Sequence, residues 1–149
     1  MPESTRPAPT DKSGLYAPYF EGLTQGQIKV QQCANCSAVL WPPQDMCPEC
    51  YATSLDWVEA SNEGTIYTYS VYNRAFHPAF KELLPYGAVS VRVSPGATIL
   101  GEYGGDPADI EVGQTVRAEF FQTAPGVALI RWMPSDLSTP APNQPTTKE

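Results

Sequence analysis

Four cysteines within a stretch of twenty residues constrain this chain more than any other feature of its sequence. The stretch QQCANCSAVLWPPQDMCPEC, residues 31–50, contains two C-x-x-C pairs separated by ten residues, namely Cys33, Cys36, Cys47 and Cys50. Each pair places two sulfurs on one tight turn, and two facing turns present four thiolates to a zinc ion at about 2.3 Å. Because four sulfur ligands leave no open position for water or substrate, the sequence predicts a structural Zn²⁺ site.

Two other uses of the cysteines are weaker. Iron would accept the same tetrathiolate ligands, but Ser37 and Tyr51 stand where glycine often follows the second cysteine of a rubredoxin-type turn. A redox centre needs one C-x-x-C that opens a helix beside alternating strands and helices. Here there are two pairs, no such alternation, and a proline directly after Cys47. Iron stays the minor alternative to zinc.

The hydropathy pattern bears on the compartment. No apolar run approaches the roughly 18 to 20 residues needed to span a bilayer. The start, MPESTRPAPTDKSG, is rich in proline and lacks the apolar stretch of a signal peptide. We therefore expect a cytoplasmic protein without a membrane partner, in a compartment that keeps thiols reduced and available to metals.

The charge pattern disfavours a nucleic-acid partner. The formal net charge is −7, and only nine basic residues are present, scattered along the chain. Affinity for nucleic acid comes mainly from Lys and Arg that neutralise phosphates. Tyr67, Tyr69 and Tyr72 could stack on bases, as aromatic residues of OB barrels do, but a core or a protein interface suits them better. A single-stranded nucleic-acid module remains the alternative.

The second half of the chain shows the period-two alternation of strands with one buried face. The five predicted strands are GTIYTYSVYN (64–73), YGAVSVRV (86–93), ATILGEY (97–103), TVRAEFF (115–121) and GVALIRWM (126–133). Closure into a barrel would remove their exposed edges. The predicted fold class is mainly β: a short N-terminal helix, a zinc ribbon, and then a five-stranded OB-like antiparallel barrel.

The remaining segments complete the predicted organisation. In residues 15–26, apolar side chains at three- and four-residue spacing predict a short helix that docks on the body of the protein or on a partner. Its candidate docking residues are Tyr16, Tyr19, Phe20 and Leu23. The predicted units are disordered tails at 1–12 and 134–149, a docking helix at 13–27, a zinc ribbon at 28–60 and an OB barrel at 61–133.

The connection from Asn73 to Gly87 is unusually long and apolar for a hairpin loop. Loops of about fifteen residues tend to be functional or disordered. Two readings stay open: the loop folds back to cap the barrel, or it forms a surface for a partner or ligand. Its candidate binding residues are Arg74, Phe76, His77, Phe80, Lys81 and Tyr86. His77, the only histidine, makes autonomous acid–base catalysis a third, minor alternative.

The order of these parts resembles one family. It combines YAPYFEGL, the ribbon with its WPP and CPEC pieces, EGTIYTYS and DPADIEVGQTV. Together they are similar to domain-of-unknown-function family thirty-five, a rubredoxin-like zinc ribbon joined to an OB-fold and often called acyl-CoA-associated. The resemblance covers residues 15–133.

The resemblance implies a function that spacing alone does not give. Such proteins are non-catalytic subunits of thiolase-superfamily enzymes, such as ketothiolases, acyltransferases and sterol side-chain aldolases. It implies a hetero-oligomer in which this chain buttresses the enzyme and helps line the CoA-thioester channel. The candidate phosphate ligands here are few, namely Lys29, Arg74, Lys81 and Arg92. We therefore expect most phosphate contacts to come from the partner chain.

Overall fold

The computed structural model describes Pro7 and residues 14–135. The two predicted tails therefore lie outside the described residues, apart from Pro7, Pro134 and Ser135. The elements in chain order are α1 (Ala17–Thr24), β1 (Ile28–Cys33), β2 (Val39–Leu40), β3 (Leu55–Ala60), β4 (Glu63–Tyr72), β5 (Tyr86–Val93), β6 (Ala97–Tyr103), β7 (Thr115–Ala124) and β8 (Val127–Pro134). Short 3-10 helices cover Gly14–Tyr16, Pro78–Leu83 and Pro107–Asp109. No helix within residues 14–135 is both long and apolar enough to cross a membrane.

Helix α1 begins with a proline in its first turn, where the missing N–H costs nothing. Its buried side chains, Tyr19 and Leu23, join the same core as the inner faces of β1 and the barrel. Gly22 allows this close approach, because a Cβ there would lie 2.9 Å from the carbonyl oxygen of Gln27. The helix thus docks on the body of the protein, as one of the two sequence readings expected.

The ribbon is a three-stranded antiparallel sheet in the order β2-β1-β3. Its own small core is formed by Cys33, Leu40 and Cys47 and is separate from the main core. The buried Gln31 fixes the hairpin, since its Nε2 donates to the Gln44 carbonyl at 3.1 Å and its Oε1 accepts from the Gln44 N–H at 2.7 Å. These two bonds satisfy a buried amide that would otherwise destabilise the sheet.

All five predicted barrel strands are present, and they close in the order β4-β5-β6-β8-β7. The prediction of an OB-like barrel is confirmed. Four of the five pairings are antiparallel, while β6 and β8 pair in parallel at Glu102–Arg131 and Tyr103–Trp132. The parallel pairing arises because β6 and β8 are separated in sequence by β7, which returns the chain to the same direction.

The barrel interior is filled by alternate residues of each strand. These inward side chains are fully or almost fully buried and include Ile66, Val89, Val91, Val93, Ile99, Val116, Ile130 and Trp132. Gly101 stands directly beneath the indole of Trp132, and a Cβ there would lie 2.7 Å from Trp132 Cδ1. The indole of Trp132 therefore fits into the core only because Gly101 has no side chain.

Strand β4 leaves the closed barrel halfway along its length. A β-bulge between Ile66 and Thr68 shifts its register against β5, and bulges bend and twist the strand that carries them. Tyr67, which lies in the bulge, and Tyr69, which lies beyond it, are 55% and 42% exposed. The barrel-core reading of these tyrosines is therefore wrong. Tyr67 instead stacks under Arg92, whose guanidinium carbon lies 4.4 Å from the ring centroid.

Candidate metal centre and apolar groove

The four cysteines form one compact cluster. Their Sγ atoms all lie within 4.8 Å of one another, and the Cys33–Cys50 and Cys36–Cys47 sulfur pairs are each 3.6 Å apart. A tetrahedral zinc site with arms of about 2.3 Å requires sulfur separations of about 3.8 Å. The same separations are too long for disulfides, and all four thiols are free. The donor set and spacing therefore fit one tetrahedral metal ion.

Two equivalent turns bring the sulfurs together. In the first, the Ser37 N–H donates to the Cys33 carbonyl at 2.9 Å, and in the second the Tyr51 N–H donates to the Cys47 carbonyl at 2.9 Å. Ser37 and Tyr51 adopt φ values of 65° and 62°. These are the two positions where glycine is common in such turns. The left-handed conformation is thus kept here without glycine, at a cost of roughly 1–2 kcal/mol per residue.

The surroundings of two of the thiols shift their pKa values in opposite directions. Bonds from the Asn35 side chain and the Ala52 backbone lower the pKa of the Cys50 thiol to about 6. A backbone bond from Ala38 also lowers the pKa of Cys36, but desolvation and the neighbouring sulfurs outweigh it and raise that pKa to about 12. Because only thiolates bind the metal, its binding must displace protons, and its affinity will fall in acid.

Replacing Ser37 tests the backbone conformation of the first turn. We expect Ser37→Gly to be neutral or to stabilise the metal-bound protein by up to about 1 kcal/mol, since glycine adopts a positive φ without strain but is more flexible when unfolded. Ser37→Val should destabilise it by about 1–2 kcal/mol, because a β-branched residue tolerates this conformation poorly. Urea unfolding of the metal-loaded protein measures both. Equal stabilities for the glycine and valine variants would contradict the strain argument.

A second feature is an apolar groove of about 480 Å³ on the outer face of the barrel. One wall is α1, and the other is an aromatic cluster of Tyr72 at the end of β4, Phe80 in the following loop and Tyr86 at the start of β5. Its floor consists of outward-facing side chains from four strands, Ala88, Leu100, Phe121 and Leu129. Strands β5 and β6 are the second and third strands of the barrel, and this face, with the loop between the first two strands, is where OB folds bind ligands.

The long loop folds back onto the outside of the barrel instead of capping its open end. Tyr72 and Tyr86 stack with ring centroids 4.9 Å apart, and Phe80 packs on Tyr86 at 5.4 Å. Phe80 and Tyr86 line the groove, whereas Phe76 projects away from the core and is 80% exposed. The loop therefore supplies both a groove wall and an exposed aromatic side chain.

The polar residues proposed for this loop lie outside the groove lining. Arg74 and Lys81 are exposed. His77 caps the 3-10 helix Pro78–Leu83, where its Nδ1 accepts the N–H of Ala79 at 3.2 Å. The structure thus gives the histidine a local structural bond that explains its position in the loop.

The four candidate docking residues of the helix do not share one environment. Tyr19 and Leu23 point into the core, and together with Phe20 they form one wall of the groove. Tyr16 is 39% exposed and contacts Trp41 of the ribbon, with ring centroids 6.4 Å apart. Only Tyr16 and Phe20 retain substantial surface for an external partner, since the other two side chains are used to dock the helix.

The groove floor was not predicted from the sequence. Its residues alternate with core residues in strands that were predicted to have only one buried face. Their outward-facing positions were therefore expected to face solvent. A signal was nevertheless present. The run VALI (127–130) is apolar on both faces, and ATIL (97–100) carries Leu100 on the face opposite its core residues; apolar residues on both faces are typical of strands covered on both sides. A residue such as Leu100, 66% exposed on an outer face, marks a covered or binding surface.

The fold and the cysteine cluster define a class: a rubredoxin-like zinc ribbon joined to an OB barrel. Residues 20–56 match the family model described as "ChsH2, rubredoxin-like zinc ribbon domain", and residues 57–121 match "ChsH2, C-terminal OB-fold domain". A solved structure described as "Ltp2-ChsH2(DUF35) aldolase" is 31% identical, with a TM-score of 0.77, over 88% of this chain and 100% of that chain. The chain belongs to the DUF35 family of ChsH2-type proteins.

Two curated relatives extend these similarities. A "Probable enoyl-CoA hydratase alpha subunit" of Thermomonospora curvata is 31% identical over 136 residues, and a "DUF35 domain-containing scaffold protein" of Methanocaldococcus jannaschii is 33% identical over 91 residues. The alignments cover 90% and 60% of this chain, but only 41% and 64% of those relatives. A DUF35 protein of unknown function from Sulfolobus solfataricus has the same fold, with a TM-score of 0.59 and 18% identity over 85% of this chain and 90% of that one.

Proposed function

We propose that this chain is a non-catalytic, zinc-binding subunit of a thiolase-like acyl-CoA enzyme, a thiolase, acyltransferase or retro-aldolase, including those of steroid or aromatic breakdown. The observation that carries the proposal is the similarity, over the whole of the matched chain, to a protein described as part of an Ltp2-ChsH2(DUF35) aldolase. The hydratase-subunit and scaffold relatives support the same class of role. A hetero-oligomer in the cytoplasm, where CoA thioesters are used, follows from it.

Zinc is the metal we propose for the ribbon. Four thiolates on two facing turns close its coordination sphere, so the ion would hold the ribbon in shape and take no part in chemistry. Iron would fit the same sulfurs. Metal analysis of the purified protein separates the two, because a tetrathiolate iron site is coloured and a zinc site is not.

The groove suits the apolar part of a thioester better than its CoA part. Its floor and both walls are apolar or aromatic, and among the described residues Glu102 is the one charged residue that lines it. Glu102 pairs with Arg131 at 3.7 Å, and the Arg131 guanidinium stacks on the Phe121 ring at the edge of the groove. None of the candidate phosphate ligands, Lys29, Arg74, Lys81 or Arg92, lines the groove. We therefore assign the acyl side of the channel to this chain, and the phosphate contacts to the enzyme subunit.

The same features disfavour the nucleic-acid alternative. A single-stranded nucleic acid needs a basic groove beside its stacking rings, and the OB face of this barrel is apolar with an acidic residue at its side. Salt-dependent binding of an oligonucleotide would favour the alternative again. Absence of binding at low salt would remove it.

Purification of the chain from its native cell tests the proposal directly. We expect a thiolase-like enzyme to co-purify in a fixed ratio, and we expect Leu129→Arg, which puts a charge into the groove floor, to lower turnover of that complex at least tenfold. Thr53→Arg adds the same charge at an exposed ribbon position away from the groove and should have little effect. Recovery of the chain without an enzyme subunit would contradict the proposal.

Calorimetry of the isolated chain tests the division of the CoA contacts. We expect no binding of an acyl-CoA tighter than about 100 μM, equivalent to roughly −5.5 kcal/mol, because no Lys or Arg is among the described residues that line the groove and Arg131, at its edge, is paired with Glu102. The complex with the enzyme should bind the same ligand far more tightly. Submicromolar binding by the isolated chain would show that this chain holds the phosphates itself.

A further inference from the structure

Pro7 belongs to the lining of the apolar groove, although it is far in the sequence from the strands that form the floor. It is the one described residue before Gly14, and it lines the groove together with the aromatic cluster and the floor residues. Pro7 is itself exposed, so it borders the groove on the solvent side. The segment that precedes α1 is therefore a candidate occupant of the groove.

The segment around Pro7 is tied to one wall of the groove. Residues 8–13 separate it from Gly14, where the 3-10 helix that leads into α1 begins. Phe20 and Leu23 of α1 are part of that wall. A short tether holds its end at an effective concentration in the millimolar range. Weak contacts are therefore enough to keep the segment in the groove for most of the time.

The sequence of the segment suits an aromatic groove. In RPAP, residues 6–9, the two prolines fix their own φ angles, and each also keeps the residue before it out of the α region. These four residues therefore favour the polyproline II conformation, and ordering them costs little entropy. Proline segments of this kind dock in grooves lined by aromatic side chains. Tyr72, Phe80, Tyr86 and Phe121 provide such a lining here.

The charges of the segment and the groove are complementary. Arg6 directly precedes Pro7, and Glu102 is the acidic residue among the described lining. Glu102 pairs with Arg131 at 3.7 Å, and a carboxylate has about four acceptor sites, enough for a second guanidinium. An arginine that reaches Glu102 lays its apolar stem along the floor of the groove. A ligand of the groove must then displace this side chain.

We propose that residues 6–9 are an intrachain occupant of the apolar groove, with the prolines on the aromatic cluster and Arg6 directed to Glu102. The segment competes with any other ligand of the groove, which enters only when the segment leaves. Because the segment and the groove belong to the same chain, the contact needs neither an enzyme subunit nor CoA. The groove of the isolated chain is thus covered, and it opens without any movement of the barrel.

Nuclear Overhauser spectroscopy of the full, metal-loaded chain tests the contact directly. We expect cross-peaks between the ring protons of Pro7 and those of Tyr86 or Phe121. Arg6→Glu places a like charge beside Glu102 and should weaken these cross-peaks at least threefold. Lys12→Glu makes the same change of charge outside residues 6–9 and should leave them nearly unchanged. If Pro7 gave no cross-peak to any ring of the groove, the proposal would be wrong.

Binding of the neutral fluorescent probe N-phenylnaphthylamine to the isolated chain tests the competition. With an effective concentration of about 4 mM and an intrinsic Kd of about 1 mM, the segment leaves the groove free about one fifth of the time, which weakens probe binding about fivefold. Deletion of residues 1–9 should therefore tighten probe binding about fivefold, and Arg6→Glu should do so at least threefold. Deletion of the same number of residues at the other end, 141–149, should have little effect.

Glu102→Gln separates the segment from changes in the groove itself. In the full chain it should tighten probe binding at least twofold, because Arg6 loses its anchor. In the chain without residues 1–9 it should have no such effect, since the two changes act on the same contact. Urea midpoints and near-UV circular dichroism check that each variant is folded.

Three outcomes of the probe experiment would overturn the proposal. These are a deletion of residues 1–9 that changes probe binding less than twofold, a deletion that weakens it, and an equal effect of Glu102→Gln in both chains. Weaker binding would show that the segment is a wall of the ligand site and not its competitor. Since neither assay contains an enzyme subunit or CoA, a failure here leaves the proposed function to its own tests.

Discussion

The Cys47→Ser variant is expected to lose the metal, its folded tertiary structure and its enzyme partner together. Cys47 is fully buried in the small ribbon core beside Cys33 and Leu40. Three buried side chains, with four partly buried ones packed against them, bury too little apolar surface to hold a sheet of three strands against its conformational entropy. The apparent free energy of zinc binding in such sites, about 10–16 kcal/mol at pH 7, is therefore folding free energy.

The loss should not stay within the ribbon. Strand β1 belongs to both units: its end, Cys33, lies in the cysteine cluster, while Ile28 and Val30 are buried in the main core with α1 and the barrel. A ribbon that unfolds therefore withdraws two fully buried side chains from that core. Removal of such side chains costs about 2–5 kcal/mol each, a large part of the 5–15 kcal/mol of a typical domain.

Four measurements check this expectation. Metal content, near-UV circular dichroism and the amount of co-purified enzyme should all fall in Cys47→Ser, and the yield of soluble protein should fall with them. Ser54→Ala, an exposed change in the same ribbon, should leave all of them near the parent values. A Cys47→Ser protein that lacks metal but keeps its fold and its partner would contradict the structural role of the site.

Much of this architecture could be predicted because it depends on local patterns. The alternation in residues 86–93 marks a strand whichever strands lie beside it, and two C-x-x-C pairs define a ligand set from spacing alone. The groove could not be predicted in this way, because it depends on which strands lie next to one another in the closed barrel. Ala88, Leu100 and Leu129 come from three strands, and only the closed strand order places them side by side.

Two further features could not be predicted for the same physical reason. The exposure of Tyr67 and Tyr69 results from a bulge, one extra residue that leaves the alternation of the neighbouring residues readable as a regular strand. The left-handed conformation of Ser37 is imposed by the metal turn, against the preference of the residue itself. In both cases tertiary structure overrides the local signal.

The Trp132→Ala variant is expected to destabilise the protein by about 3–5 kcal/mol, the range for truncating a buried aromatic residue. Trp132 is the largest of the fully buried side chains, and its indole packs against Gly101 of the neighbouring strand β6. Its Nε1 has no hydrogen-bond partner in the described structure, so the residue is kept for its volume. Because Gly101 offers no side chain that could fill the space, the cavity should collapse little.

Trp132→Ala should lose stability without losing the metal, whereas Cys47→Ser should lose both. The metal cluster lies in the ribbon, outside the barrel core, so Trp132→Ala should still bind one metal ion per chain while its urea midpoint falls. Leu100→Ala removes a large apolar side chain from an exposed outer position and should cost less than about 1 kcal/mol. Gly101→Ala should mimic Trp132→Ala in sign, because the added methyl group meets the indole. A Trp132→Ala protein whose metal content falls together with its free energy of unfolding would contradict this expectation. It would show that the ribbon folds only together with the barrel, and that the thiolates and their metal do not hold the ribbon by themselves.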